Sequence, residues 1–499
     1  MKRKRFGPTV SWRASMAAGP PYVYHLLPGN EASLVRECLD RRWWWRPATI
    51  YASGNIVPHH LRIGLNGQRM DWSRFPFHGV SLSMCNRLRN NREACVKSRL
   101  ALNLRRWVYA RKRENNSSNG EAYDWVPTTF VLHAGRDTSE LVAFREHDVK
   151  RKKDVDDAGT WIVKPEASNR GRGVEVLGSA QDVEQHLACH KTNDVFVAQV
   201  YLESPLLVFG RKFDIRVFAL VTPDGNCYVY KDSYVRTCVS EYTLEDLGDK
   251  AVHLTNDAVQ QRLPGYGTHE ECNKMSFQQF QRALDDGRRE SLEPTEDTSA
   301  SADTGARIDF ENHVWPAIER VTAEAFRATL GRGADGGTRK ITQDLSSKSK
   351  GRNGPTPNPE KKPKAFTYEL FGLDFMLDQS GSPVLLEINT SPALFRHGEV
   401  LKTMLPLMME EVVCLTVDAV FPPPNGGEKN DKNNEGISSP KKETRFKRLD
   451  VLVDVTLDLF LERPDTSRQS TWRSPSSQAK EKSNPERVVM GMKKTSIGL

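Results

Sequence analysis

The sequence contains no run of 18 or more apolar residues: the best candidate, Met404 to Phe421, is interrupted by Glu410, Glu411 and Asp418. No membrane-spanning helix and no membrane partner are therefore expected. It has no CxxC pair and no histidine cluster at zinc-ligand spacing, its eight cysteines at 38, 85, 95, 189, 227, 238, 272 and 414 being scattered. That pattern argues against a zinc module and fits a reducing compartment. The length of 499 residues excludes a small disulfide-stapled scaffold. A Walker A sequence is missing, as is a clean GxGxxG fingerprint, and no internal repeat of fixed period occurs. Charge is only mildly unbalanced, with 72 Lys plus Arg against 64 Asp plus Glu and a formal net charge of +8. Such an excess favours an acidic partner and falls short of a dedicated nucleic-acid binder, so no nucleic acid is expected.

What is there is a globular mixture, 38% apolar and 27% charged, diluted by polar stretches. At roughly 150 residues each, about three domains or subdomains are expected. Residues 1–20 are basic, and Pro8 and Pro20 interrupt the amphipathic helix a transit peptide needs, so a disordered basic arm is expected. Residues 21–122 read as a small α/β domain. In it YVYHLL is a strand, EASLVRECLDRRWWW an amphipathic helix ending in a cationic aromatic cluster, and Asn86 to Trp107 a nearly acid-free helix. Residues 123–200 form a central domain and 201–424 a C-terminal one, with polar insertions near 286–306 and 331–365 around a helix from Phe310 to Leu330. A terminal helix is expected from Glu399 to Val420. Residues 425–499 are expected to be mostly disordered, apart from RFKRLDVLVDVTLDLFLE, a helix or strand candidate for docking back on the core.

Two strand-like runs, Leu370 to Leu377 and Val384 to Asn389, are joined by DQSGSP. In a symmetric hairpin turning between Ser380 and Gly381, Asp374 faces Glu387 and Gly372 faces Asn389, all on one face. Leu373, Phe375, Leu386 and Ile388 then point into a core. Apposed carboxylates destabilise a strand pair unless a cation lies between them, and oxygen donors without nearby His or Cys suit Mg²⁺ better than zinc. The placement requires a hairpin without a bulge. An ordinary hairpin with solvated acids is the alternative for this segment alone.

In RKFDIRVFALV the charged residues Lys212, Asp214 and Arg216 alternate with Phe213, Ile215 and Val217, giving one apolar face and one ordered row of positive, negative, positive. Such a row suits polyphosphate; a solvated salt-bridge face is the alternative. Arg236, ending the next strand, is placed to meet the same patch. Lys164 closes the strand TWIVK, and PEASNRGRG supplies Gly171 and Gly173, whose backbone N–H groups lack a Cβ that would keep phosphate away. FVAQVYLES offers groups around Gln199 to Leu202 to an adenine edge.

Taken together, WIVKP, NRGRGV, AQVYLESPLL, RKFDIR, YVRT, HLTN, FGLDFML and LLEINTSPAL occur here in an order that resembles the tubulin-tyrosine ligase-like family of the ATP-grasp superfamily. The resemblance spans about Tyr123 to Val420 with two insertions, and weakly the N-terminal domain, where REACVKSRL is similar to a family helix bearing a nucleotide-contacting lysine. It implies an α/β ATP-grasp fold and an ATP-dependent ligase that adds an amino acid to a carboxylate on an α- or β-tubulin C-terminal tail. By motif, Asp374, Glu387 and Asn389 would hold Mg²⁺; Lys97, Lys164 and Lys212 would bind ATP phosphates; Asp214, Arg216 and Arg236 would line the reaction centre. The family's adenine hinge usually has Lys or Arg after Gln, whereas Val200 follows Gln199 here. HLTN, residues 253–256, reads as structural or ribose-adjacent and stays outside the catalytic set.

The implied chemistry is phosphoryl transfer to the tail carboxylate, then attack of the amino-acid amine on the acyl phosphate. For the incoming amino acid the resemblance is divided. GYGTHEECNKMSFQQFQRAL and VRTCVSEY look like tyrosine ligases, and PEASNRGRGV and KDSYVR like glutamylases and glycylases, so tyrosine or glutamate is expected, with glycine behind. Microtubules and the cytoplasmic cytoskeleton, including a ciliary axoneme or basal body, are the implied setting. A small-molecule ATP-grasp ligase and a non-catalytic microtubule-binding protein are the rival readings.

Overall fold

The computed structural model describes residues 20–30, 32–49, 58–64, 70, 72, 75–77, 79–114, 123–152, 159–166, 168–292, 307–331, 364–424 and 444–455. The expected basic arm, save Pro20, and most of the two insertions and the tail lie outside these residues. The fold is mixed α and β, and no helix among the described residues is long and apolar enough to cross a membrane.

The YVYHLL segment forms β1 (Tyr22–Leu26), followed by α1 (Ala32–Asp40), which buries Leu34, Val35, Cys38 and Leu39 as one helical stripe. Contrary to expectation the helix stops at Asp40, and Trp45 opens β2 (Trp45–Pro47). The reason is Arg42. Its side chain, only 1% exposed, folds back onto the Cys38 carbonyl and reaches Glu410 and Asp418, so the chain must turn there. With β3 (Leu61–Ile63) and β4 (Leu82–Cys85) these strands make a parallel sheet. The segment from Asn86 to Trp107 is not a single helix either: α2 (Arg92–Cys95) ends at the extended Val96, and α3 (Lys97–Glu114) follows. The residues before α2 cannot wind up because Glu369 takes the Leu88 N–H and the Asn91 amide.

The central sheet is antiparallel, in the order β5 (Thr129–His133), β8 (Val195–Val200), β6 (Trp161–Pro165), β7 (Glu175–Leu177). Its two helices, α4 (Ser139–Arg151) and α5 (Ala180–Ala188), start where Thr138 and Ser179 side chains accept from the Leu141 and Asp182 N–H groups.

The main sheet has eight strands built around β10 (Arg211–Val221). On one side β10 pairs with β12 (Tyr234–Glu241) and then β11 (Asn226–Tyr230); on the other it pairs with β15 (Glu369–Leu377). β9 (Leu207–Val208) and β13 (Lys274–Ser276) extend the sheet, with short helices α6 (Lys250–His253) and α7 (Asp257–Gln260) lying between β12 and β13 in sequence. α8 (Phe277–Leu292) runs further into the expected 286–306 insertion than composition indicates, because Phe280 and Ala283 anchor its start in the core. The next helix opens as a π-helical turn, Phe310–Val314, before α9 (Trp315–Thr329).

One strand lies where low-complexity sequence was expected, and the helix or strand candidate of the tail docks back on the core as a strand. β14 (Lys364–Thr367) begins inside the 331–365 stretch and pairs in parallel with β4, so the N-terminal sheet borrows a strand from far along the chain. β17 (Phe446–Leu452), from the RFKRLDVL segment, covers the edge of β11 with Phe446, Leu449 and Val451 buried. α10 (Glu399–Val413) passes into a π-helical turn, Cys414–Asp418, and the helical run ends at Val420, as expected.

All eleven residues of β10 are buried. Phe213, Ile215, Val217, Ala219 and Val221 enter one core, shared with α3 and α9. The opposite face changes character along its length: Lys212, Asp214 and Arg216 come first, then Phe218 and Leu220, which join a second core with α1 and α10. β15 repeats the change in reverse, from Leu370 in that second core to Asp374. The functional face thus ends where the N-terminal domain seats.

Candidate active site

A cleft opens between the central sheet and the charged half of β10, with an empty volume of about 930 Å³ including its open mouth. That is within the size range of ligand pockets. Ten of the residues singled out from sequence line it: Lys97, Lys164, Gly171, Gln199, Leu202, Lys212, Asp214, Arg236, Asp374 and Glu387. Arg216 and Asn389 stand one layer back and bond directly to Asp374. Gly173 is not brought to the cleft; its positive φ serves a turn packed on Pro165, where a Cβ would sit 2.9 Å from Cγ. Gly171 does line it, and a Cβ there would lie 2.8 Å from Val259.

The hairpin of β15 and β16 (Pro383–Thr390) pairs Asp374 with Glu387 and Gly372 with Asn389, as the strand period requires. It is not free of a bulge. Phe375 pairs with Leu385, so the register shifts by one at Leu386, on the turn side of the acids. The expected core position of Leu386 is therefore wrong: Leu385 is buried in the core, and Leu386 lines the cleft beside Met376 and Val384. These three apolar side chains give the cleft a wall suited to a flat base.

The apposed acids are not left to a metal alone. Arg216 Nε donates to Asp374 Oδ1 at 2.6 Å, and Arg236 Nη2 lies 3.0 Å from Oδ2. Arg236 also grips Asp214 at 2.5 and 2.6 Å, and the Thr255 hydroxyl donates to Asp214 Oδ2 at 2.6 Å. Burial would raise the Asp374 pKa, but the two guanidinium groups outweigh it and hold the carboxyl well below the usual range. The sequence expectation that the acids need a cation between them is corrected accordingly: arginines relieve one acid, and the Asn389 amide donates to Glu387 at 2.9 Å. Gly372 permits this arrangement, since a Cβ there would lie 2.9 Å from Pro392 and 3.3 Å from the Arg216 stem.

Two carboxylates and one amide are the oxygen donors at this point. Among the described residues no group of three or more His, Cys, Asp or Glu side chains is arranged to hold a metal ion by itself. Such a set fits a hard divalent ion that completes its shell with phosphate oxygens and water, and does not fit zinc.

Three lysines face the acids. Lys97, the first residue of α3, donates to the Ser168 carbonyl at 2.7 Å, and Lys164 donates to Gln199 Oε1 at 2.9 Å. Lys212 donates to the Tyr201 hydroxyl at 2.6 Å and the His253 carbonyl at 3.1 Å. Burial depresses Lys164 and Lys212 to about 8 each. Both are cations held in a dry site and short of negative charge, as polyphosphate binding requires.

Sequence reasoning missed the groups that fix Lys212. His253 Nε2 contacts the Asp246 carbonyl at 2.9 Å and must donate; its Nδ1 then accepts from the Tyr201 hydroxyl at 2.8 Å, leaving the phenol oxygen to accept from Lys212. Thr255 and Asn256 also line the cleft, so HLTN belongs to the site. The available signal was the buried Lys212, which demands acceptors that only QVYLES and HLTN supply.

Residues 78–300 and 338–427 match the model of the tubulin-tyrosine ligase family. The chain is 26% identical over 298 residues to tubulin glycylase 3B of Tetrahymena thermophila, covering 56% of this chain and 21% of that protein. It is 28% identical over 270 residues to tubulin glycylase 3B of Drosophila melanogaster, covering 52% of this chain and 29% of the other. A probable alpha-tubulin polyglutamylase Ttll1 of Tetrahymena thermophila matches at 24% over 401 residues, 76% of this chain and 81% of that protein. The chain thus spans less than a third of the length of the two glycylases. Because the family match covers more than half the chain and contains every charged and polar group just described as binding or lining the cleft, the chain belongs to the tubulin-tyrosine ligase family.

Proposed function

We propose that this chain is an ATP-dependent carboxylate–amine ligase acting on the acidic C-terminal tail of tubulin. The observation that carries the reading is the convergence of Lys97, Lys164 and Lys212 on the Asp374–Glu387 pair in one cleft. Asp374, Glu387 and Asn389 would hold Mg²⁺, which when bound neutralises phosphoryl charge and orients the nucleotide. Lys164 and Lys212, pre-bonded on one side, present their remaining N–H donors to phosphate, while Gln199 to Leu202 and the Met376, Val384, Leu386 wall receive the base.

The acceptor carboxylate takes the terminal phosphoryl group of ATP. The amine of the incoming amino acid then attacks the acyl carbon, and phosphate leaves with one oxygen of the original carboxylate. Arg236, bridging Asp214 and Asp374, would stabilise the oxyanion, and Asp214, hydrogen-bonded by Arg236 and Thr255, would orient the amine. Tyrosine, glutamate and glycine are the candidate donors. The glycylases and the polyglutamylase among the relatives bring glycine and glutamate to the front. The cytoskeleton is the corresponding setting.

Labelled Gly, Glu and Tyr, each supplied with ATP and Mg²⁺ to tubulin with intact or protease-trimmed tails, test this. Incorporation of one of them, lost on trimming and in Glu387→Gln, is the expected result. Nucleotide binding without incorporation of any would reject the tubulin acceptor.

A further inference from the structure

Glu369 is fully buried at 0% exposure and plays no part in the reaction just described. It heads β15, five residues before Asp374. Its Oε2 accepts from the Leu88 N–H at 2.8 Å, and its Oε1 accepts from Asn91 Nδ2 at 2.9 Å and from the Thr390 hydroxyl. Arg87 Nη1 lies 3.5 Å from Oε1. Burial raises the Glu369 pKa against the pull of Arg87 and these donors.

The donors come from two separate pieces of the site. Thr390 ends β16, one residue past Asn389. Arg87, Leu88 and Asn91 belong to the turn that leads through α2 into α3, whose first residue is Lys97. The same turn grips the hairpin a second time. Arg87 bonds the Ser391 hydroxyl, and Asn30 donates to the Ser391 carbonyl at 3.0 Å. Ser391 has φ +46°, a left-handed conformation that a non-glycine residue keeps only where its surroundings over-determine it.

We propose that Glu369 is a positioning residue that locks the Lys97-bearing helix to the hairpin carrying Asp374, Glu387 and Asn389. It sets the separation between a phosphate-binding lysine and the metal-binding carboxylates, which neither element fixes alone. The inference rests on reading the cleft as a Mg²⁺·ATP site. Groups that orient ligating side chains from behind typically change metal affinity by about 10- to 100-fold when removed.

Calorimetric titration of the full chain with ATP, in EDTA and in Mg²⁺, tests it. Glu369→Gln combined with Arg87→Met removes both buried charges together, and Thr390→Val removes only the hairpin-side bond. The wild type is expected to bind ATP more tightly with Mg²⁺. Both variants are expected to keep metal-free affinity within about threefold and to lose metal-dependent tightening, by about tenfold in the double variant and about threefold in Thr390→Val. A wild type without any Mg²⁺ gain would overturn the cleft reading and this inference with it. A wild-type gain that both variants retain, or a proportional loss of metal-free and metal-bound affinity, would overturn the inference alone. Should the double variant not fold, Thr390→Val decides.

Discussion

The two halves of β10 share one strand and equal burial, yet one half presents Lys212, Asp214 and Arg216 to its outer face and the other Phe218 and Leu220. The difference lies in what each half meets. The apolar half is sealed by α1 and α10; the charged half opens on the cleft, where Asp214 and Asp374 pair with Arg216 and Arg236 and Lys212 donates to Tyr201 and the His253 carbonyl. Burial by itself therefore does not select apolar residues here; burial without a partner does.

The sharpest way to break that comparison is to move a charge across it. Phe218→Asp places a carboxylate among Phe446, Tyr234 and the Leu370 core without a cation, and is expected to cost ~4 kcal/mol or more, read by urea unfolding. On the charged side Arg216→Met leaves Asp374 with Arg236 alone and is expected to cost about 3 kcal/mol. Adding Asp374→Leu to it should recover most of that stability while abolishing ligation, so stability and activity separate. Phe218→Leu, which keeps an apolar residue, should cost only about 1 kcal/mol and leave activity unchanged. Tyr201→Phe removes one of the two acceptors of Lys212 and the donor to His253, and is expected to weaken ATP binding by about tenfold.

The remaining comparison is a pH effect. Lys164 and Lys212 sit near 8 in the folded chain against about 10.4 unfolded, so between these values the unfolded chain binds more protons. Stability of the free protein should accordingly rise with pH from about 8 to 10.4, the same direction as a salt-bridged carboxylate gives but in an alkaline window. Nucleotide binding should take up protons at pH 8.5, seen as a heat that depends on the buffer's ionisation enthalpy. Absence of that dependence would mean the lysines are already fully charged, contrary to their burial.

What the sequence made legible follows from period and chemistry. Alternation put Lys212 and Asp214 on one face of RKFDIRVFALV and Asp374, Glu387 and Asn389 on one face of the β15–β16 hairpin, while only the family resemblance set the two faces in one site. The bulge at Leu386 escaped because a register shift answers to what the two faces pack against, and DQSGSP fits either register. β14 escaped for a related reason: its partner lies hundreds of residues away and its own composition resembles the polar chain around it, whereas RFKRLDVL stands out from the tail and only its partner strand β11 could not be read from it. Tyr201, His253 and Thr255 were passed over since each acts on a neighbour's side chain, a relation that linear spacing does not carry. Glu369, one residue before the strand-like run from Leu370, shows its importance only once Leu88, Asn91 and Thr390 are seen to converge on it.

The most direct test of the charged half of β10 as a phosphoryl-transfer centre is the fate of a carboxylate oxygen. Tubulin tails labelled with ¹⁸O in their glutamate carboxylates, given ATP, Mg²⁺ and the accepted amino acid, should release phosphate carrying one ¹⁸O for each amide bond formed. Ligation that leaves the released phosphate unlabelled would contradict an acyl phosphate, and with it the roles given to Lys212, Asp374 and Glu387.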